Sequence, residues 1–125
     1  MELGIVLLSQ KEFEDALEIF NEALEMRERE AAKASSREKR KIILQTAKIL
    51  NNIGCVYFEY GEMKDAKETY EEALEIQRDI LSNEEFATDP AHLAMASTIC
   101  NIGTCHQSVI KNIFRSSIIH FQFKN

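Results

Sequence analysis

Two asparagines, Asn52 and Asn101, are the side chains of this 125-residue chain best suited to bind another molecule. Each stands directly before an Ile-Gly pair, at 53–54 and at 102–103. A carboxamide both donates and accepts hydrogen bonds, so it can hold the backbone of an extended peptide whatever side chains the peptide carries. Because asparagine is a mediocre helix former, its presence at both equivalent mid-helix positions indicates a binding role. The alternative is that the two amides tie neighbouring helices together.

Side chains suited to catalysis or metal binding are few. Cys100, Cys105 and His106 lack the paired spacing of a zinc site. A catalytic cysteine and histidine must converge in one cleft. Adjacent helix residues such as Cys105 and His106 point to different faces, so they cannot form such a pair. His92 and His120 are most simply surface or core histidines, and the sequence has no Gly-rich phosphate loop. We therefore expect no enzymatic activity, no cofactor and no metal.

Charge is unevenly distributed along the chain. The formal net charge is −6, and all 21 acidic residues lie at or before Asp89, so the tail is basic. The acidic body would repel phosphates and attract a basic partner, so we expect neither nucleic acid nor membrane binding. No apolar run approaches the roughly 20 residues of a membrane span, and the N-terminus lacks a signal-peptide pattern. We expect a cytoplasmic protein whose three cysteines are reduced.

One basic cluster contains Arg37, Lys39, Arg40 and Lys41. It lies at a predicted helix start, where positive charge opposes the helix dipole. It could be a nuclear-import or nucleic-acid patch, or a solvated turn paired with the acidic helix before it. Few aromatic residues accompany the cluster to stack on bases, so the solvated turn is the preferred interpretation.

The chain repeats itself. The segment 13–25 returns fifty residues later as 63–75, and glycines at 4, 54 and 103 mark three copies. Within the copies, apolar residues recur in steps of three and four, which predicts amphipathic helices that pack as hairpins. With one proline and four glycines, the sequence has few of the turn signals that an all-β fold needs. The predicted fold class is all-α.

Helix ends are also predicted. Ser35 with Glu38 three residues later forms a capping box, so a helix should begin near residue 36. Asp89 before Pro90 indicates another start near residue 90. Gly61 should end the helix that contains residues 43–57.

The tail, residues 107–125, follows the repeat pattern least. Its apolar residues can form one stripe on a helix that would cap the stack, namely Val109, Ile110, Ile113, Phe114, Ile118 and Phe121. The stretch 118–123 is β-prone and nearly uncharged, so it would be adhesive if it were not buried.

These residues resemble the tetratricopeptide repeat (TPR) family. The middle copy carries most of that signature, in Leu50, Ile53, Gly54, Tyr57, Gly61, Ala66, Tyr70 and Ala73. The stretch 50–54 and the run 73–90 also resemble the kinesin light chain type of repeat, with longer helices. The resemblance implies one domain, 1–125, that is a right-handed α-solenoid with two hairpins plus a divergent third. The first repeat, which is truncated at its N-terminal side, would span about 1–34. The second would span about 36–82, and the divergent third about 89–123.

The resemblance implies a scaffold for protein-protein interaction. TPR arrays bind an extended peptide or a partner helix on a concave face, where the resemblance places Lys48, Asn51, Asn52, Cys55, Phe58, Ser97, Asn101 and Thr104. A carboxylate clamp for chaperones is disfavoured, because Met1 and Ile5 stand where lysine and asparagine are needed. The alternative is a self-associating structural fragment of a longer repeat protein, such as a regulatory or motor-adaptor subunit, that stacks through exposed end faces.

Overall fold

The computed structural model describes residues 10–82 and 89–124. This part of the chain forms four helices, which are α1 (Gln10–Lys33), α2 (Ser36–Glu59), α3 (Met63–Leu81) and α4 (Asp89–Lys124). No strand occurs in these two ranges. The predicted all-α helical repeat is confirmed. The prediction about Met1 and Ile5 lies outside the described residues.

Helix α2 begins where the capping box predicted. The Ser35 side chain accepts a hydrogen bond from the backbone N–H of Glu38 at 3.4 Å. The Glu38 carboxylate in turn accepts from the backbone N–H of Ser35 at 3.4 Å. These two bonds satisfy donors that a helix start leaves unpaired. Helix α4 likewise begins at Asp89, beside the predicted start near residue 90.

The turn between α2 and α3 depends on Gly61. Its φ is +78°, in the left-handed region that glycine adopts without a steric penalty. The turn is closed by the Gly61 N–H, which donates to the Phe58 carbonyl at 3.0 Å, and by the Glu62 N–H, which donates to the Tyr57 carbonyl at 2.9 Å. The prediction that Gly61 ends the helix is confirmed.

Substituting Gly61→Ala should destabilise the protein by about 1–2 kcal/mol, since an alanine is strained at this φ. Beyond Gly61 and its two chain neighbours, no described atom lies within 4 Å of the place that a Cβ would occupy, so the loss would come from the backbone alone. Urea unfolding followed by circular dichroism measures it. Gly61→Asn is the control and should lose less, because asparagine tolerates left-handed φ better. Equal losses in both variants would contradict this explanation.

Helix α2 lies at the centre of the packing. Its buried Ala47, Leu50 and Ile53 form a core cluster with Ala73 of α3. Apolar side chains of α1, at 17, 20 and 24, pack against the same cluster. Helix α2 therefore packs against both α1 and α3, as the apolar stripes predicted.

A second core cluster joins α3 to α4. It consists of Ala66 and Tyr70 of α3 and Cys105 of α4. The small alanine next to the aromatic ring lets the two helices approach closely. The first half of α4 is thereby fixed against α3.

The divergent third copy is one continuous helix. By the rise of 1.5 Å per residue, the 36 residues of α4 extend about 54 Å and the 19 residues of α3 about 29 Å, so α4 extends past its partner. The tail is helical as predicted, and the β-prone stretch 118–123 is helical too. Its apolar stripe does not cap the stack, since Ile110 and Phe114 are each 65% exposed. The side chain of Phe121 lies outside the described residues.

Candidate functional site

A groove of about 530 Å³ lies where α2 and α4 meet. We call it the carboxamide groove, after the four amide side chains among its lining residues, Asn51, Asn52, Gln77 and Asn101. The other lining residues are Leu44, Lys48, Cys55, Pro90, Ala91, Ala94 and Ser97. Most of the groove surface is apolar, and the amides supply its hydrogen-bonding groups.

A smaller pocket adjoins the carboxamide groove. Its volume is about 190 Å³, and its lining consists of Cys55, Phe58, Glu59, Tyr70, Asn101 and Thr104. Cys55 and Asn101 line both cavities, so the two lie side by side. All eight residues that the resemblance placed on the binding face line one cavity or the other.

The three asparagines of this surface have different roles. The Asn51 side-chain amide donates to the Thr98 hydroxyl at 2.8 Å, and Thr98 donates to the Ala94 carbonyl at 3.0 Å. Asn51 thus joins α2 to α4. Asn52, which is exposed, and Asn101, which is half-buried, form no hydrogen bond with any residue in 10–82 or 89–124. The sequence left two interpretations of Asn52 and Asn101, ligand binding and the bridging of neighbouring helices. In the structure the asparagine that bridges two helices is Asn51.

Thr98 and Gln77 were missed by the sequence analysis. Thr98 is 0% exposed and Gln77 is 2% exposed, although both are polar. Each stands inside an apolar stripe, Thr98 in the series 91, 95, 98, 102, 105 and Gln77 in the series 66, 70, 73, 77, 80. A polar residue within an apolar stripe is predicted to be buried, and its polar group then needs a hydrogen-bond partner. That pattern could have identified Thr98 and Gln77 from the sequence.

Tyr70 forms the base of the smaller pocket. Its ring is 2% exposed, and its hydroxyl donates to the Cys55 sulfur at 3.2 Å. Burial first, and then this hydrogen bond, raise the pKa of Tyr70 above its usual value. Tyr70 is therefore a neutral hydrogen-bond donor at physiological pH.

The buried Cys105 beside Tyr70 is not an activated nucleophile. All three cysteines are free, as expected. Burial raises the pKa of the Cys105 thiol, with a smaller contribution from Cys55 that Lys67 opposes. A raised pKa keeps the thiol protonated, and the thiolate is the reactive form.

The described ranges contain neither a cluster of metal ligands nor a membrane-spanning helix. No group of three or more His, Cys, Asp or Glu side chains comes together there. None of the four helices has the length and apolarity that a membrane span requires.

The basic cluster lies in the first turns of α2. Its side chains are exposed at 37, 39 and 41. Lys41 lines a shallow depression that it shares with Glu30 of α1 and with Glu38. Arg27 and Lys33 of α1 line the same depression, so its charges are mixed, and the solvated turn stays a prediction.

Two family models match the chain, and both describe the tetratricopeptide repeat. One matches residues 1–31 and the other matches residues 47–80, which together are just over half of the chain. The chain belongs to the TPR family. Comparison with curated proteins and with solved structures finds no match. TPR repeats generally mediate protein-protein interaction and are typically non-enzymatic scaffolds.

Proposed function

We propose that this TPR protein binds an extended peptide or a partner helix in the carboxamide groove and has no chemistry of its own. The observation that supports this proposal is the pair Asn52 and Asn101. Their side chains line the same groove from two helices, and neither is engaged by another described residue. Two unengaged carboxamides can hold a peptide backbone by donating to its carbonyls and accepting from its N–H groups.

The shape of the groove supports a backbone ligand. Three of the five α4 residues that line the groove, Ala91, Ala94 and Ser97, are small, so a peptide backbone can approach the helix closely between Pro90 and Asn101. Apolar walls with a few polar groups are typical of ligand sites. The net charge of −6 would attract a peptide that carries basic residues outside the groove.

The test is selection of peptides from a displayed random library of 12-residue sequences, followed by titration of the synthetic peptides. The double variant Asn52→Ala, Asn101→Ala should bind about tenfold or more weakly, since two hydrogen bonds of about 1 kcal/mol each are lost. The matched control is Asn21→Ala, Asn112→Ala, which removes two exposed helical asparagines outside the groove. Equal affinity of the groove variant and the control variant for every selected peptide would refute the proposal.

The finer assignments are proposals as well. The repeat boundaries, about 1–34, 36–82 and 89–123, follow the sequence copies. The kinesin-light-chain-like subtype rests on the resemblance of residues 50–54 and 73–90 to that repeat type. The acidic body would repel phosphates, which disfavours a nucleic-acid or membrane partner. The cytoplasmic location rests on the apolar pattern of the sequence, in which no run approaches a membrane span.

A second candidate function is self-association, favoured by the exposed half of α4. Six large apolar residues are exposed there, at Val109, Ile110, Ile113, Phe114, Ile118 and Ile119. The only charged residues among 107–120 are Lys111 and Arg115, both basic. On α1, Ile19 and Met26 are exposed, lie seven residues apart on one face, and have acidic neighbours. The basic apolar tail of one copy thus complements the acidic face of α1 on another.

The variant Ile113→Glu, Phe114→Glu should shift the protein towards monomer in sedimentation velocity runs over a concentration series. The control Asn112→Glu, Ser116→Glu adds the same charge outside the centre of the apolar stripe and should associate more strongly than the first variant. High salt should weaken association of the unmodified chain, since opposite charges contribute to it. A monomer at every concentration of the unmodified chain would contradict self-association.

A further inference from the structure

Charged side chains are rare in the two cavities between α2 and α4. Among the described residues, Lys48 is the only charged one that lines the carboxamide groove, and Glu59 is the only charged one that lines the smaller pocket. The other lining residues of both cavities are uncharged. A ligand that occupies both cavities therefore meets one positive and one negative side chain.

These two charges lie towards opposite ends of the paired cavities. The groove is lined by residues between 44 and 55 of α2, and the smaller pocket by residues between 55 and 59. Lys48 and Glu59 are eleven residues apart on α2, which is about 16 Å at a rise of 1.5 Å per residue. An extended peptide covers that distance in about five residues, at roughly 3.3 Å each.

Both charges are available to a ligand. Lys48 and Glu59 are exposed, and neither forms an ion pair with another residue in 10–82 or 89–124. Burial is the main cause that raises the pKa of Tyr70, and the charge of Glu59 is the smallest cause. The Glu59 carboxylate therefore lies near the base of the smaller pocket, which Tyr70 forms.

We propose that the two cavities select an extended peptide with an acidic residue at Lys48 and a basic residue at Glu59, about four to six positions apart. This inference rests on the proposed peptide-binding function and names the ligand more closely. Opposite charges favour one partner and one register, whereas like charges at the same places repel. The order of the two charges along the peptide follows from the direction in which it binds.

An extended peptide fits this surface better than a helix does. The backbone groups inside a helix are already paired with one another, so Asn52 and Asn101 could not hold them. A bound helix would also need its two charges about eleven positions apart, because it rises by the same distance per residue as α2. The spacing of the charges thus distinguishes the two forms of ligand.

The first test is the selection of 12-residue peptides from a displayed random library on the full chain. The selected sequences should be enriched in one acidic and one basic residue about four to six positions apart. One such peptide is then synthesised, together with a version whose acidic residue is replaced by lysine. On the unmodified chain the replacement should weaken binding about fivefold, and 0.5 M salt should reduce that difference.

The second test exchanges a charge on the protein. Lys48→Glu should bind the selected peptide about fivefold more weakly, and the lysine version of the peptide should recover most of that loss. The matched control is Lys64→Glu, which changes the net charge equally at an exposed position of α3 outside both cavities. It should change the affinity less than twofold.

The smaller pocket is tested in the same way. Glu59→Lys should weaken binding of the selected peptide and restore it when the basic residue of the peptide is replaced by glutamate. Glu68→Lys, exposed on α3 and outside both cavities, is its control. Circular dichroism checks that each variant is folded, and the comparison of peptides on the unmodified chain needs no variant.

The outcomes separate this inference from the proposed function. If the selected peptides bind through Asn52 and Asn101 but carry no spaced charge pair, or no variant is rescued by its peptide, the charge selection is overturned while peptide binding stands. A spacing of about eleven positions overturns the extended form of the ligand. Equal effects of Lys48→Glu and Lys64→Glu would mean that only the net charge matters, which also overturns it. If no peptide binds the unmodified chain, the proposed function fails and this inference fails with it.

Discussion

Replacing Tyr70 with alanine is expected to lower the free energy of unfolding by about 3–5 kcal/mol, the usual cost of emptying a buried aromatic position. Tyr70 is 2% exposed and packs with Ala66 and Cys105, so its removal leaves a cavity between α3 and α4. The ring also contacts α2 at Gly54, so the cavity would weaken the contacts of α3 with both helices. Urea unfolding monitored by circular dichroism gives the difference.

Tyr70→Phe is the control for this substitution. It keeps the ring and removes only the hydroxyl that donates to the Cys55 sulfur. The loss of one hydrogen bond should cost about 1 kcal/mol, well below the loss for alanine. A melting temperature that is unchanged by Tyr70→Ala would show that α3 does not pack as described.

Substituting Gly54→Ala is expected to destabilise the protein by about 1–3 kcal/mol, through overpacking. A Cβ at this position would lie less than 3.0 Å from three atoms of the Tyr70 ring, inside van der Waals contact. The ring is held by its neighbours and by its hydroxyl bond, so it cannot move aside without a cost. Equilibrium unfolding in urea measures the loss.

Gly103→Ala provides a control of opposite sign. Gly103 is the equivalent glycine of the third copy, but its hypothetical Cβ has no described atom within 4 Å beyond its chain neighbours and the backbone of its own helix. Alanine inside a helix is more favourable than glycine, so this variant should gain up to about 1 kcal/mol. A change of stability in the same direction in both glycine variants would contradict this explanation, because only Gly54 lies against the Tyr70 ring.

Local signals predicted the ends of the helices well. The capping box at Ser35, the glycine at Gly61 and the proline after Asp89 each act through the backbone of their own segment. The tail was harder to predict, because whether an apolar stripe is buried depends on a partner helix that the tail itself does not encode. The sequence of 109–119 has the same apolar stripe whether or not a partner helix covers it. In the structure the stripe is exposed, because α4 extends past α3.

The repeat supplied most of the candidate site. Aligning the glycines of two copies placed Asn52 and Asn101 at equivalent helix positions, and these positions line one groove. The buried side-chain oxygens of Asn51 and Gln77, which accept no hydrogen bond from the described residues, could not be found this way. Whether a buried amide has a partner depends on which side chains of other helices surround it, and no repeat pattern specifies that.

The most direct test of the central claim is an NMR titration of the isotope-labelled chain with one selected peptide. We expect the largest shift changes at the side-chain amides of Asn52 and Asn101 and at neighbouring groove residues on α2 and α4. Shift changes confined to α1 or to residues 109–119 of α4, with the two asparagine amides unmoved, would contradict it.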